Sequence, residues 1–165
     1  MLSSISKFFT ELFLGKLVHK YDISEVKHGA FTYRNRFNIR QKKSISKLFH
    51  ERVTNDGHNI NKSYHEYDER NIDSLIQVFT DAIQCIDQSQ ANDFGLIFEE
   101  KDGSMLSREY YYTEQSGGEF YLFCRIESKA HLSSRTRITY FPLQEIELIA
   151  ELLIDAQKHM QSLQK

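Results

Sequence analysis

The sequence predicts an α+β fold in which a leading helix is followed by two tandem ββββα repeats, each an antiparallel sheet with a packed helix. Three observations predict it. The chain matches itself at an offset of 74 residues without a gap, each half carries four runs with strand alternation, and each half closes on a long segment with apolar residues at helical spacing. At 165 residues and 40% hydrophobic, the chain suits one domain over 1–165 with a core of its own. A single proline leaves no room for a Pro-rich linker.

Residues 1–20 read as an N-terminal amphipathic helix, because Phe8, Phe9, Leu12, Phe13 and Leu17 recur at helical spacing. Lys7, Glu11 and Lys16 interrupt every apolar run, so the segment is neither a secretory signal nor a bilayer span. Repeat 1 covers 21–90, with strands expected at 22–27, 31–41, 45–54 and 60–67. Repeat 2 covers 91–165, with strands at 95–100, 105–115, 119–129 and 135–141. Gly29 and Gly103 fall in the first turn of each repeat.

The closing helices follow from Ile72, Leu75, Ile76, Phe79, Ala82, Ile83 and Ile86, and from Ile146, Ile149, Leu152, Leu153, Ala156 and Met160. Asp68 is placed to cap the first helix, and Pro142 fits the first turn of the second. Laid at the 74-residue offset, 21–90 and 95–164 share twelve identities, against roughly 4 to 5 for unrelated sequences of this composition. A duplication is the expected origin.

Strand side chains alternate between faces, so the second strand separates apolar Phe31, Tyr33, Phe37 and Ile39 from Thr32, Arg34, Arg36, Asn38 and Arg40. With Lys42, Lys43 and Lys47, residues 31–48 hold six Lys/Arg and no acid. The same outward parity collects Phe49 in repeat 1 and Arg108, Tyr110, Tyr112, Tyr121, Phe123 and Arg125 in repeat 2. Rings interleaved with guanidinium groups on an open sheet suit single-stranded nucleic acid, since bases stack on rings while cations follow phosphates. Charged and tyrosine-rich faces are also ordinary on solvated antiparallel sheets, and Phe49 and Phe123 fit a protein interface equally well.

Two ββββα units with a glycine turn into an aromatic strand, from Gly118 to Ile126, and Arg137-Ile138-Thr139 before the closing helix resemble the PUR-repeat and Whirly proteins. That group binds single-stranded nucleic acid and is related in shape to the transcription cofactor PC4. The resemblance covers residues 21–164 and implies single-stranded nucleic-acid binding; the leading expectation is non-enzymatic binding of single-stranded DNA or RNA by a homodimer.

Other chemistry finds little support. The seven histidines, at 19, 28, 50, 58, 65, 131 and 159, show no metal-ligand spacing, so neither a metal nor a cofactor is expected. No Gly-rich phosphate loop or nucleophile elbow is present, and the chain reads as a non-enzyme. Glu66, Asp68, Glu69 and Asp73 are expected to complement a helix start. Cys85 and Cys124 read as buried reduced thiols, in keeping with a cytoplasmic protein. Residues 1–90 hold 13 Lys/Arg against 11 Asp/Glu, and 91–165 hold 8 against 12. That balance excludes a uniformly basic DNA-coating protein and confines any nucleic-acid role to a local patch. The competing expectation is a protein-binding module, an inhibitor, immunity or chaperone-like factor, using the same sheet or the amphipathic helices.

Overall fold

A computed structural model describes residues 14–21, 24–131 and 133–163. The element order is β1 (Lys16–Lys20), β2 (Ser24–His28), β3 (Phe31–Lys42), β4 (Ile45–Asn55), β5 (Ile60–Tyr67), α1 (Glu69–Asp87), β6 (Asn92–Asp102), β7 (Met105–Ser116), β8 (Glu119–Ala130), β9 (Ser133–Phe141) and α2 (Leu143–Ser162). The chain divides into two compact units, one of residues 1–72 with 152–165 and the other of residues 73–151.

In the first unit the sheet runs β1-β3-β4-β5, with β2 also paired to β3, and all pairings are antiparallel. This corrects the expected leading helix. Its residues 1–13 lie outside the described residues, but its end, Lys16–Lys20, is the strand β1. The reason lies in the length of β3. β2 pairs with Phe31–Asn35, which leaves the N–H and C=O groups of the remainder of that edge to be satisfied, and β1 pairs with Asn38–Gln41. Ladder bonds outweigh a helical spacing of a few apolar residues. Gly15 makes the approach feasible. Its φ is +86°, and a Cβ there would sit 2.7 Å from the carbonyl oxygen of Gln41.

The inner face of this sheet buries Tyr33, Phe37, Ile39, Leu48 and Tyr67, and the part of α2 that folds with it buries Leu153, Ala156 and Met160. His159 of α2 lies with its ring 4.4 Å from that of His19 on β1. Tyr21 sits beside Asp155, and burial together with that carboxylate raises its pKa far above the usual tyrosine value.

The second unit is a four-stranded antiparallel sheet, β6-β7-β8-β9. Residues 73–87 of α1 belong to it, and Phe79 meets Tyr111 and Phe141 edge-on at 6.2 and 5.6 Å. The layout therefore departs from two self-contained ββββα repeats. The first half contributes five described strands, and each helix is divided between the compact units: 69–72 and 152–162 fall in the first, 73–87 and 143–151 in the second.

Both helix starts are built locally. Asp68 Oδ1 accepts from the Arg70 amide at 2.9 Å while the Asp68 amide donates to Asn71 Oδ1 at 2.8 Å, a reciprocal cap. Pro142 stands one residue earlier than the first turn, where its carbonyl accepts the amides of Glu145 and Ile146 at 2.9 and 3.0 Å. Ile72 and Ile146, which the offset aligns, are both buried. Cys124 is buried, whereas Cys85 is only half-buried. Among the described residues no helix is long and apolar enough to cross a membrane.

Candidate functional site

Alternation on β3 and β4 turns Arg34, Arg36 and Arg40, with Lys47 and Phe49, away from the buried face of the first unit. Register then decides how each cation is met. Glu25 on β2 stands opposite Arg34 and accepts its Nε at 2.6 Å. Glu51 on β4 stands opposite Arg36 and is held more loosely, 3.4 Å from its Nη1. Lys47 is ion-paired with Glu66, which lies on β5 and not at the helix start where the sequence reading placed it. Arg40 differs, because its guanidinium donates at 3.0 Å to the carbonyl of Gly15, an uncharged acceptor.

Beyond these pairs the β3–β4 hairpin forms a cleft of about 310 Å³ lined by Leu14, Arg40, Lys42, Lys43, Ile45, Lys47, Phe49 and Glu66. Lys43 occupies the turn with φ of 58°. A non-glycine residue there costs roughly 1–2 kcal/mol. The corresponding turn of the second unit, between β7 and β8, is Gly117-Gly118, with φ of 64° and 93°. Positive φ at both positions is the arrangement a two-residue hairpin favours.

On the second unit the outward face is aromatic. Tyr112 on β7 stands opposite Phe123 on β8, which stands opposite Tyr140 on β9. Tyr112 and Phe123 stack with centroids 5.2 Å apart, and Tyr121 meets Tyr140 edge-on at 5.5 Å. Arg125 places its guanidinium 4.7 Å from the ring of Tyr110 and also pairs with Glu127 at 3.2 Å. Arg108 is held by Glu99 at 2.5 Å, the same geometry that joins Arg34 to Glu25. Burial and the neighbouring carboxylates, Glu114 and Glu119, raise the pKa values of Tyr112 and Tyr121, so both rings stay neutral phenols. An open hollow of about 790 Å³ adjoins Tyr110, Tyr112 and Arg125, with Asp93 and Glu114 also on its walls.

The expected residues therefore fall into two groups. Arg34, Arg36, Arg40, Lys42, Lys43, Lys47 and Phe49 lie on the first unit, and Arg108, Tyr110, Tyr112, Tyr121, Phe123 and Arg125 on the second. Tyr140 was missed, although its outward parity on β9 and its place opposite Phe123 were available to a register argument. Also unforeseen was the buried polar set beneath the first sheet, where His50 Nε2 lies 2.7 Å from Asn35 Oδ1 and Arg52 covers the ring of Tyr33 at 4.6 Å. Burial first, then the nearby His65 and Arg52, hold the pKa of His50 well below 6.5. Among the described residues, no group of three or more His, Cys, Asp or Glu side chains could hold a metal ion.

No family model matches the chain, and no curated protein matches it in sequence. Among the described residues, two antiparallel sheets with two helices define its class as α+β, and within that class its fold is Whirly-like. The crystal structure of WHY1 from Arabidopsis thaliana superposes with a TM-score of 0.53 at 8% identity, covering 87% of this chain and 92% of that one. The structure of the plant transcriptional regulator PBF-2 gives 0.51 at 8% identity, with coverage of 89% and 84%. The likeness is one of fold.

Proposed function

We propose that the chain binds single-stranded DNA or RNA on the outward faces of its sheets. The aromatic row Tyr112, Phe123 and Tyr140 carries this reading, because three rings on adjacent strands make a surface on which unpaired bases stack without regard to sequence. Tyr121 and the Arg125–Tyr110 pair extend it. On the first unit Arg34, Arg36, Arg40, Lys42, Lys43 and Lys47 supply the phosphate contacts, with Phe49 among them. The Whirly-like fold supports the same reading, since that fold is shared with a protein described as a transcriptional regulator. Binding is non-enzymatic, in the cytoplasm, and the binding species is a homodimer, which light scattering of the purified chain tests.

The deciding experiment is a fluorescence titration with labelled single-stranded and duplex oligonucleotides at two salt concentrations. Single strands should bind more tightly than duplex, and both should weaken with salt. Absence of binding to any oligonucleotide at low salt refutes the proposal.

One observation favours a second reading. Arg34, Arg36, Lys47, Arg108 and Arg125 each have a carboxylate partner, so much of the positive charge is answered within the sheets themselves. A charge-balanced, aromatic sheet face is what a protein-binding module presents. That reading takes first place if the titration is negative.

A further inference from the structure

We propose that the hollow beside Tyr112 on the second unit receives one base of a bound strand and selects a base that bears an exocyclic amino group over uracil or thymine. The proposal rests on the single-strand reading above. The hollow originates in the irregularity of β6. Opposite Tyr110 and Tyr112 that strand carries Leu96 and Asp93, and its register slips between Asp93 and Gly95 and again between Leu96 and Phe98. Gly95 has a φ of +76°, and a Cβ there would meet nothing within 4 Å. The bulged strand therefore leaves an open space of about 790 Å³ beside the outward tyrosines of β7.

The rings give that space one wall. Phe123 stacks on Tyr112 from the β8 side, 5.2 Å away and within 9° of parallel, while Asp93 stands opposite Tyr112 on the β6 side. A base entering beside Tyr112 from β6 continues the stack that Phe123 begins.

The remaining lining decides which base. Asp93 and Glu114 bring carboxylates to the hollow, and Asp93 is anchored, since its Oδ1 accepts the Gly95 amide at 2.9 Å. A carboxylate has about four acceptor positions, so one amide leaves it able to accept more. Carboxylates repel phosphate, which keeps the strand's backbone outside and turns a base inward. Arg125 stands opposite Tyr110 and lays its guanidinium 4.7 Å from that ring. A cationic side chain of a protein partner would meet this like charge, whereas a base brings donors and acceptors together. Cytosine offers its N4 amino group to a carboxylate and its O2 and N3 to the guanidinium. Uracil puts a carbonyl oxygen where that amino group stands, and its N–H lies between two carbonyls, so a carboxylate reaching it is brought beside partial negative charge.

The test uses the full chain and a short labelled oligodeoxyuridine strand in three versions: unaltered, with one central cytosine, and with that cytosine dimethylated at N4. Cytosine and uracil are of one size and stacking tolerates either, so the comparison isolates the edge of the base. The cytosine strand should bind about five- to tenfold more tightly than the unaltered strand, the low end of what a base-edge contact discriminates. Dimethylation removes the N–H donors and should bring affinity back to within about twofold of the unaltered strand. Asp93→Asn with Glu114→Gln should likewise reduce the preference to about twofold or less, and should strengthen the unaltered strand by up to about twofold as repulsion of its phosphates is relieved. The asparagine keeps an oxygen for the Gly95 amide, so the bulge is retained. Equal or weaker affinity of the wild type for the cytosine strand overturns the proposal, as does a preference that dimethylation or the double substitution leaves intact. Failure to bind any strand refutes the single-strand reading itself, whereas binding without base preference refutes only the hollow's role.

Discussion

Arg40→Ala and Glu25→Gln should move the salt dependence of single-strand binding in opposite directions. A phosphate contact releases condensed counterions only to the extent that the cation brings uncompensated charge. On the proposed reading Arg34 would meet phosphate with Glu25 already 2.6 Å away, whereas Arg40 donates to an uncharged carbonyl 3.0 Å away. Removing Arg40 should therefore flatten the slope of log affinity against log salt by about 0.7, the value of one single-strand contact. Arg34→Ala should change it much less. Glu25→Gln releases Arg34 from its partner and should steepen the slope by up to about 0.7 while tightening binding at low salt. The combined Arg34→Ala, Arg36→Ala, Arg40→Ala variant should lose between about 0.7 and 2 units. Anisotropy titrations over a salt series measure all of these, with circular dichroism confirming the fold of each variant. The reasoning fails if Arg34→Ala flattens the slope as much as Arg40→Ala, or if Glu25→Gln leaves it unchanged.

Phe123→Ala and Tyr140→Ala should each weaken single-strand binding by about 1–3 kcal/mol with little change in salt slope, since stacking is not ionic; a slope change as large as that of Arg40→Ala would contradict the assignment. Leu153→Ala should destabilise the protein by about 2–5 kcal/mol, because a fully buried leucine leaves a cavity, while Ile154→Ala at the neighbouring, partly exposed position serves as the control. Urea midpoints compare the two, and similar shifts would misplace the helix face. His50 gives a pH dependence whose sign follows from its lowered pKa. The unfolded chain takes up a proton below about pH 6.5 that the folded chain refuses, so stability falls as pH drops, by up to about 1.4 kcal/mol per unit. His50→Gln should lose less stability than wild type between about pH 7.5 and 5.5.

Local signals were legible wherever a strand's own alternation or a turn residue decided the outcome. β5 begins and ends where the sequence placed it, and the basic face of β3 follows from parity alone. Leu17 was misassigned because its helical spacing from Phe13 says nothing of the edge of β3 that needed a partner. The helix stripes were equally silent about destination: Phe79 and Leu153 announce a buried face, but nothing in their spacing says which sheet each will cover. The Arg34–Glu25 and Arg108–Glu99 pairs stood nearer to legibility. A two-residue turn at Gly29-Ala30 or Gly103-Ser104 fixes the register that brings each acid opposite its arginine. Lys43 was counted as one more cation in a basic run, and its positive φ emerges only when the turn is seen beside Gly117-Gly118.

The division of the helices between the units has a consequence for synthesis. Residues 16–67 supply all five strands of the first unit, but the segment that completes its core starts at Leu152, about 85 residues behind the last strand. A ribosome adding about 5–20 residues per second holds that sheet incomplete for seconds, with Tyr33, Phe37, Ile39 and Leu48 exposed to solvent. The second unit has no such wait, because residues 73–151 are contiguous. It can close first, and the nascent chain acquires its folded parts in the reverse of the order in which their sheets are made.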